Sequence, residues 1–109
     1  MIKETFGEYI HRLRLDFGMT LTKLAAALDI DQSTLSKIEN GKRNIPEIIL
    51  PKLAKSFNLN LKELEKEFYS EKIAKTIYKE PNSNELLRLA EQKVDYLKQK
   101  NSVQGNLNL

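Results

Sequence analysis

The side chains best suited to chemistry in this chain lie on one short polar segment, residues 31–43. Within its helical stretch, Gln32–Glu39, only Leu35 and Ile38 are apolar, which is a narrower stripe than a helix needs for burial. The outward side chains are those of Gln32, Ser33, Thr34, Ser36 and Lys37. They carry hydrogen-bond donors and acceptors of moderate length, the kind that reach base edges in the major groove of DNA.

Three polar residues that follow this helix are suited to a different contact. Asn40, Lys42 and Arg43 lie at its C-terminal end and in the next loop, where such side chains bind phosphate oxygens. The overall charge adds little, since residues 1–59 carry nine Lys and Arg against seven Asp and Glu, and residues 60–109 carry nine against eight. The net charge of +3 permits a polyanionic partner without requiring one.

The sequence offers nothing for catalytic or metal chemistry. Cysteine is absent, and His11 is the only histidine. No nucleophile–base pairing, Gly-rich phosphate loop or set of paired inward carboxylates can be assembled. We therefore predict no enzyme, no metal, no cofactor and no small-molecule effector. The lack of cysteine and of an apolar run long enough to span a bilayer predicts a cytoplasmic location without membrane association.

The elements that must hold this polar surface are helices, and their capping residues can be identified in the sequence. At 109 residues, with 40% apolar and 30% charged residues, the chain is long enough for one compact domain and an appendage. Thr5 and Glu8 predict a capping box for the first helix, and Gly18 ends it. Thr20 and Asp31 predict the caps of the second and third helices. The apolar stripe of the first helix consists of Phe6, Ile10, Leu13 and Phe17.

Two further helices follow the polar segment. In the fourth, Pro51 either starts the helix or kinks it. The fifth begins after Asn60, with Leu61, Leu64 and Phe68 on its inner face. Beyond Phe68 the apolar pattern changes phase to Tyr69, Ile73 and Ile77. At about 100° per residue these residues lie about 140° around the helix axis from Leu64 and Phe68, so they point away from the domain. Either the helix breaks near Ser70, or it continues and offers a second apolar face.

The last part of the chain predicts one more helix and a tail. Asn82 with Glu85 predicts the cap of this helix. One side of it is lined by Leu86, Ala90, Val94 and Leu97. Residues 101–109 are polar and unpatterned, which predicts a disordered tail.

Residues 18–43 resemble the helix-turn-helix of the Cro and phage-repressor family, a similarity that extends over about residues 6–68. Two helices, a tight turn and the closing Ile38-Glu39-Asn40-Gly41 agree with the family in order and spacing. From Glu67 onward the chain more loosely resembles short regulators that are often found beside DNA methyltransferases. The resemblance implies a five-helix DNA-binding domain over residues 1–68. The apolar side of the last helix needs a surface to cover, which is either the domain itself or a second copy, and we expect a helical dimerisation extension over residues 69–100.

The resemblance also implies roles by position. Gln32 reads a base, commonly adenine, and the other reading positions are Ser33, Thr34 and Lys37. Asn40 and Arg43 hold phosphates, and we assign Thr20, Ser36 and Lys42 to the same group. Arg14 and Glu39 occupy the positions of a buried ion pair.

Two departures from the family pattern bear on these roles. Leu21 stands where the family usually has a glutamine that touches phosphate and braces the side chain at position 32. A leucine can do neither, so the docking of the helix is implied more firmly than the adenine contact of Gln32. Asp29 replaces the usual glycine in the turn, which is a mild change because aspartate tolerates a left-handed backbone.

We therefore expect an all-α, dimeric regulator of transcription, a repressor or restriction–modification controller, that binds a pseudo-palindromic double-stranded operator. Two recognition helices would enter successive major grooves about 34–36 Å apart. We assign dimerisation to Ile73, Ile77, Leu86, Ala90, Val94 and Leu97. The alternative is a helical adaptor or antitoxin-like module that binds a protein and does not depend on DNA, since three-helix clusters also serve that purpose.

Overall fold

Helices make up every regular element between residues 3 and 103, the range that the computed structural model describes. In chain order these elements are α1 (Phe6–Asp16), α2 (Leu21–Leu28), α3 (Gln32–Glu39), a 3-10 turn (Glu47–Ile49), α4 (Leu50–Phe57), α5 (Leu61–Ile77) and α6 (Ser83–Val103). The predicted all-α fold class is confirmed. The chain divides into two compact units, residues 1–72 and residues 73–109, and the division falls within α5.

Local capping sets the ends of the first three helices. Thr5 Oγ1 accepts from the Glu8 N–H at 3.1 Å and Glu8 Oε1 accepts from the Thr5 N–H at 2.8 Å, which confirms the capping box. Thr20 and Asp31 cap α2 and α3 through the same kind of bond to an N–H three residues further on. Asp29 takes a left-handed backbone with φ of 60°, as predicted. The turn from α2 to α3 is therefore set by short-range bonds.

An aliphatic core lies at the centre of the first unit. Its least accessible large side chains are Ile10, Leu24, Leu28, Leu35, Leu50 and Leu53. Pro51 lies in the first turn of α4 and so starts that helix rather than kinking it. Phe17 departs from the predicted stripe, since it is 55% exposed. The reason is that α1 ends at Asp16, so Phe17 packs only edge-on against Phe57, with ring centroids 4.9 Å apart.

A close approach between α1 and α3 occurs at Gly7. A Cβ atom at this position would lie 2.3 Å from the carbonyl oxygen of Ile38 and 3.2 Å from that of Glu39. Because both are backbone atoms, a larger side chain would push the two helices apart. Gly7 therefore allows α1 to pack directly against the C-terminal end of α3.

α5 continues without a break through Ser70, so the second alternative for this segment is confirmed. Glu71 Oε1 accepts from the backbone N–H of Phe6 at 2.8 Å and satisfies one of the free N–H groups at the start of α1. The Tyr69 hydroxyl donates to Glu47 in the 3-10 turn, and this hydrogen bond raises the pKa of Tyr69. Tyr69 thus contacts the 3-10 turn, whereas its phase predicted that it points away, because the unbroken helix brings its hydroxyl within reach of Glu47.

The second unit contains the end of α5 and the long helix α6. α6 begins directly after Asn82 and extends to Val103, whereas the sequence predicted a disordered tail from Asn101. The rest of that tail, residues 104–109, lies outside the described residues. No described helix combines the length and apolar character that a membrane span requires.

The six residues assigned to dimerisation differ in exposure. Ile73, Val94 and Leu97 are 54%, 47% and 57% exposed, and Ala90 is also exposed. Ile77 and Leu86 are half-buried. Four of the six are therefore exposed to solvent within a single copy of the chain.

Candidate nucleic-acid interface

α3 lies at the surface of the first unit with its apolar side buried. Leu35 is fully buried and Ile38 is 2% exposed. At the start of the helix Asp31 accepts from the Thr34 N–H at 2.6 Å, and this bond holds the pKa of the Asp31 carboxyl below its usual range. The positive charges of Arg43 and Lys37 lower the same pKa further. The two cations and the capped start of α3 therefore belong to one surface.

Three of the four predicted reading residues are exposed on this surface. Gln32, Ser33 and Lys37 are exposed, whereas Thr34 is half-buried. Gln32 and Ser33 are the first two residues of α3, and Lys37 lies in its last turn. The reading positions therefore extend along nearly the whole exposed face of α3.

The residues predicted to contact phosphates are mostly exposed. Thr20, Asn40, Lys42 and Arg43 are exposed, and Ser36 is half-buried. The Asn40 amide donates to Ser36 Oγ at 3.4 Å, so these two side chains lie together at the C-terminal end of α3. Thr20 Oγ1 accepts from a backbone N–H, which leaves its hydroxyl hydrogen to donate to an anion.

A hydrogen bond across the turn joins the beginnings of α2 and α3. The Thr22 hydroxyl donates to Gln32 Oε1 at 2.6 Å. Leu21, which stands at the position of the family's bracing glutamine, is instead half-buried against the core. The side chain at position 32 is therefore braced, but by the residue after the expected one.

Arg14 and Glu39 lie in contact where α1 meets the end of α3. Arg14 Nε donates to Glu39 Oε2 at 2.8 Å and Nη2 donates to Oε1 at 3.1 Å, while Nη1 donates to the Met19 carbonyl at 3.0 Å. The two side chains are only 10% and 4% exposed. Burial alone would raise the pKa of the Glu39 carboxyl, but hydrogen bonds from Arg14 and His11 outweigh it and hold the pKa below its ordinary value.

His11 is a third member of this cluster that the sequence analysis missed. Its Nδ1 lies 2.7 Å from Glu39 Oε1, a distance at which the ring N–H donates to the carboxylate. His11 precedes Arg14 by three residues on α1, and side chains at that spacing lie on the same side of a helix. That spacing was a usable signal, although only the position of α3 shows that the ring reaches Glu39. Within residues 3–103, no group of three or more acidic or histidine side chains could hold a metal ion.

Sequence comparison finds related proteins for the first unit. A family model described as Helix-turn-helix matches residues 10–64, a range that includes the whole of α2, α3 and α4. Control protein C.MunI from a Mycoplasma species is 36% identical over 64 residues, which is 58% of this chain and 86% of that protein. The transcriptional repressor RghR of Bacillus subtilis is 35% identical over 57 residues, 51% of this chain and 42% of the repressor.

Solved structures with a similar fold include a controller protein and a chain of a protein complex. The restriction-modification controller protein C.AhdI from Aeromonas hydrophila aligns with a TM-score of 0.50 and 30% identity, over 54% of this chain and 89% of that one. A chain of the SinR–SinI protein complex aligns with a TM-score of 0.50 and 25% identity, over 90% of this chain and 99% of that one.

Proposed function

This chain belongs to the helix-turn-helix family and is a DNA-binding regulator, and from that premise we propose that it binds a two-fold-symmetric DNA site as a homodimer. The observation that carries this proposal is the geometry of α3. Its apolar side is anchored by Leu35 and Ile38, while Gln32, Ser33 and Lys37 are exposed on the other side. A short polar helix held rigidly in this way fits the major groove.

Two groups of side chains on this surface would act differently. Gln32, Ser33, Thr34 and Lys37 would contact base edges and so provide discrimination between sequences. Thr20, Ser36, Asn40, Lys42 and Arg43 would contact phosphates and so provide affinity for any duplex. A cytoplasmic location follows from this function.

The second unit supports the proposal of a homodimer. On a helical projection at about 100° per residue, Leu86, Ala90, Val94 and Leu97 fall within an arc of about 80° on α6. Leu87 borders that arc on one side and Leu89 on the other, and these two are 46% and 43% exposed. Such a face gains stability by covering a similar face, and the two-fold symmetry of a dimer matches a palindromic site.

The regulated genes are inferred from the relatives. C.MunI is named a control protein, and C.AhdI a restriction-modification controller. We infer the same role for this chain, namely the control of restriction–modification genes. The alternative is a helical module whose main partner is a protein. The similarity to a chain from the SinR–SinI complex, over 90% of this chain, is the observation that favours it.

Selection of bound sites from a pool of random duplexes tests the function directly. Enrichment of a site with two-fold symmetry is the expected result, because two copies of α3 would read the same half-site in opposite directions. If no sequence is enriched, the protein-binding alternative is preferred.

Variants of the base-contacting residues and of the phosphate-contacting residues should have different effects on DNA binding. Gln32→Ala should cost about 1–3 kcal/mol per half-site at one base position and leave non-specific binding almost unchanged. Arg43→Ala should weaken binding to all sequences about equally, because a phosphate contact is independent of sequence. Titrations of both variants against the selected site, its single-base changes and an unrelated duplex provide the measurement. Identical behaviour of the two variants would contradict the division.

A further inference from the structure

The side chain of Gln32 is exposed, yet it is held by a neighbour. The Thr22 hydroxyl donates to Gln32 Oε1 at 2.6 Å, between the second residue of α2 and the first residue of α3. The two residues are ten positions apart in sequence. The bond therefore depends on how the turn and the packing of the two helices place these residues relative to each other.

The side chain of Thr22 has limited freedom. In a helix a threonine is confined largely to two χ1 rotamers, so its hydroxyl has few positions. α2 itself is fixed by the Thr20 cap and by the buried side chains of Leu24 and Leu28. A free glutamine loses much rotamer freedom when it binds, whereas one that is already hydrogen-bonded loses less.

This single bond occupies only part of the hydrogen-bonding capacity of the Gln32 amide. A carboxamide oxygen has two lone pairs, and its nitrogen carries two N–H groups. Thr22 occupies one lone pair, so one acceptor position and both donors remain. A carboxamide that accepts with its oxygen and donates with its nitrogen matches the N6 and N7 atoms of adenine in the major groove. Because Oε1 faces α2, the carboxamide is held in one of its two orientations, which differ by a 180° rotation about the terminal C–C bond of the side chain.

We propose that Thr22 is a positioning residue for base reading: it presents the Gln32 carboxamide in one orientation and thereby sets the preference of the site for one base pair. This inference rests on the proposed function, because it requires Gln32 to contact a base. The adjacent Leu21 has no polar group for the task and packs against the core.

Thr22→Val removes the hydroxyl and keeps nearly the same shape and helix propensity. Affinity for the selected site should fall about three- to tenfold per half-site, the range expected for one neutral hydrogen bond. Preference at the base pair read by Gln32 should fall by the same factor, while affinity for an unrelated duplex should not change. Thr22→Ser keeps the hydroxyl and should retain most of the affinity and preference.

A double-variant cycle distinguishes positioning from direct contact. In a Gln32→Ala background, Thr22→Val should have no further effect on affinity, because its only route to the base is gone. An equal loss in both backgrounds would overturn the proposal and make Thr22 a DNA contact. In the free protein, Thr22→Val should shift the side-chain NH₂ resonances of Gln32 and lower their order parameter. Unchanged resonances would also overturn it.

Failure of this inference differs from failure of the proposed function. If the wild-type protein selects a site and the Thr22→Val variant binds it with the same affinity and base preference, only the role of Thr22 is wrong. If the wild-type protein selects no duplex at all, the proposed function fails and the role of Thr22 in base reading fails with it.

Discussion

A chain that carries Val94→Glu and Leu97→Glu should sediment as a monomer and bind its two-fold site about a hundredfold or more weakly. Both side chains lie on the apolar side of α6 and are already 47% and 57% exposed, so glutamates there should leave the fold of a single copy intact. In the proposed dimer the glutamates would be buried without partners, which is strongly unfavourable. The monomer loses bivalency, which contributes about 10²–10⁴ in affinity for a site with two halves.

The matched control adds the same two charges to the opposite side of the same helix. Gln92 and Gln99 lie about 180° from the centre of the apolar arc at about 100° per residue, and both are exposed. Gln92→Glu with Gln99→Glu should therefore sediment and bind DNA like the wild type. If the Val94 and Leu97 variant still sediments as a dimer, the proposed role of α6 in the interface is wrong.

Arg14→Met should destabilise the first unit by about 3–5 kcal/mol, because it leaves the buried carboxylate of Glu39 without its main partner. It also removes the bond to the Met19 carbonyl, which holds the segment between α1 and α2. His11 keeps a contact with Glu39, but its side chain is 49% exposed and cannot replace a buried bidentate partner. In thermal melts this corresponds to a fall in Tm of more than about 10 °C for a unit of this size.

A second variant and a control show whether the buried charge causes this loss. Arg14→Met with Glu39→Leu removes both charges and should recover much of the stability, although the Met19 bond stays lost. Arg12→Met on the same helix breaks the pair between Arg12 and Glu4, whose side chains are 38% and 15% exposed. Because that pair is more solvated, Arg12→Met should lower the melting temperature much less than Arg14→Met. Equal melting temperatures for Arg14→Met and Arg12→Met would contradict the energetic role of burial.

Interactions between neighbours in sequence were predictable. The caps at Thr5, Thr20 and Asp31 and the left-handed turn at Asp29 each depend on residues within three or four positions, and the structure confirms them. The polar character of α3 was also visible, because a helix with only two apolar residues has one side to bury. These features were enough to predict an all-α fold and to locate the candidate interface on residues 31–43.

Contacts between distant residues were not predictable in this way. The phase change after Phe68 left open whether the fifth helix breaks. In the structure the helix is unbroken, and Tyr69 meets Glu47 while Glu71 meets the start of α1. Tyr69 also shows why periodicity can mislead. A long polar-tipped side chain can turn back to the domain even when its position on the helix points elsewhere.

The sequence by itself determined the helices, their caps and the surface that α3 offers to a ligand, since these follow from local hydrogen bonds and from the spacing of apolar residues. Only the tertiary structure decided how that surface is held. Gly7 allows close contact with the Ile38 carbonyl, His11 joins the Arg14–Glu39 pair, and Thr22 braces Gln32. The physical reason is that each of these contacts joins two helices, so its geometry depends on their packing and not on the order of residues along either one.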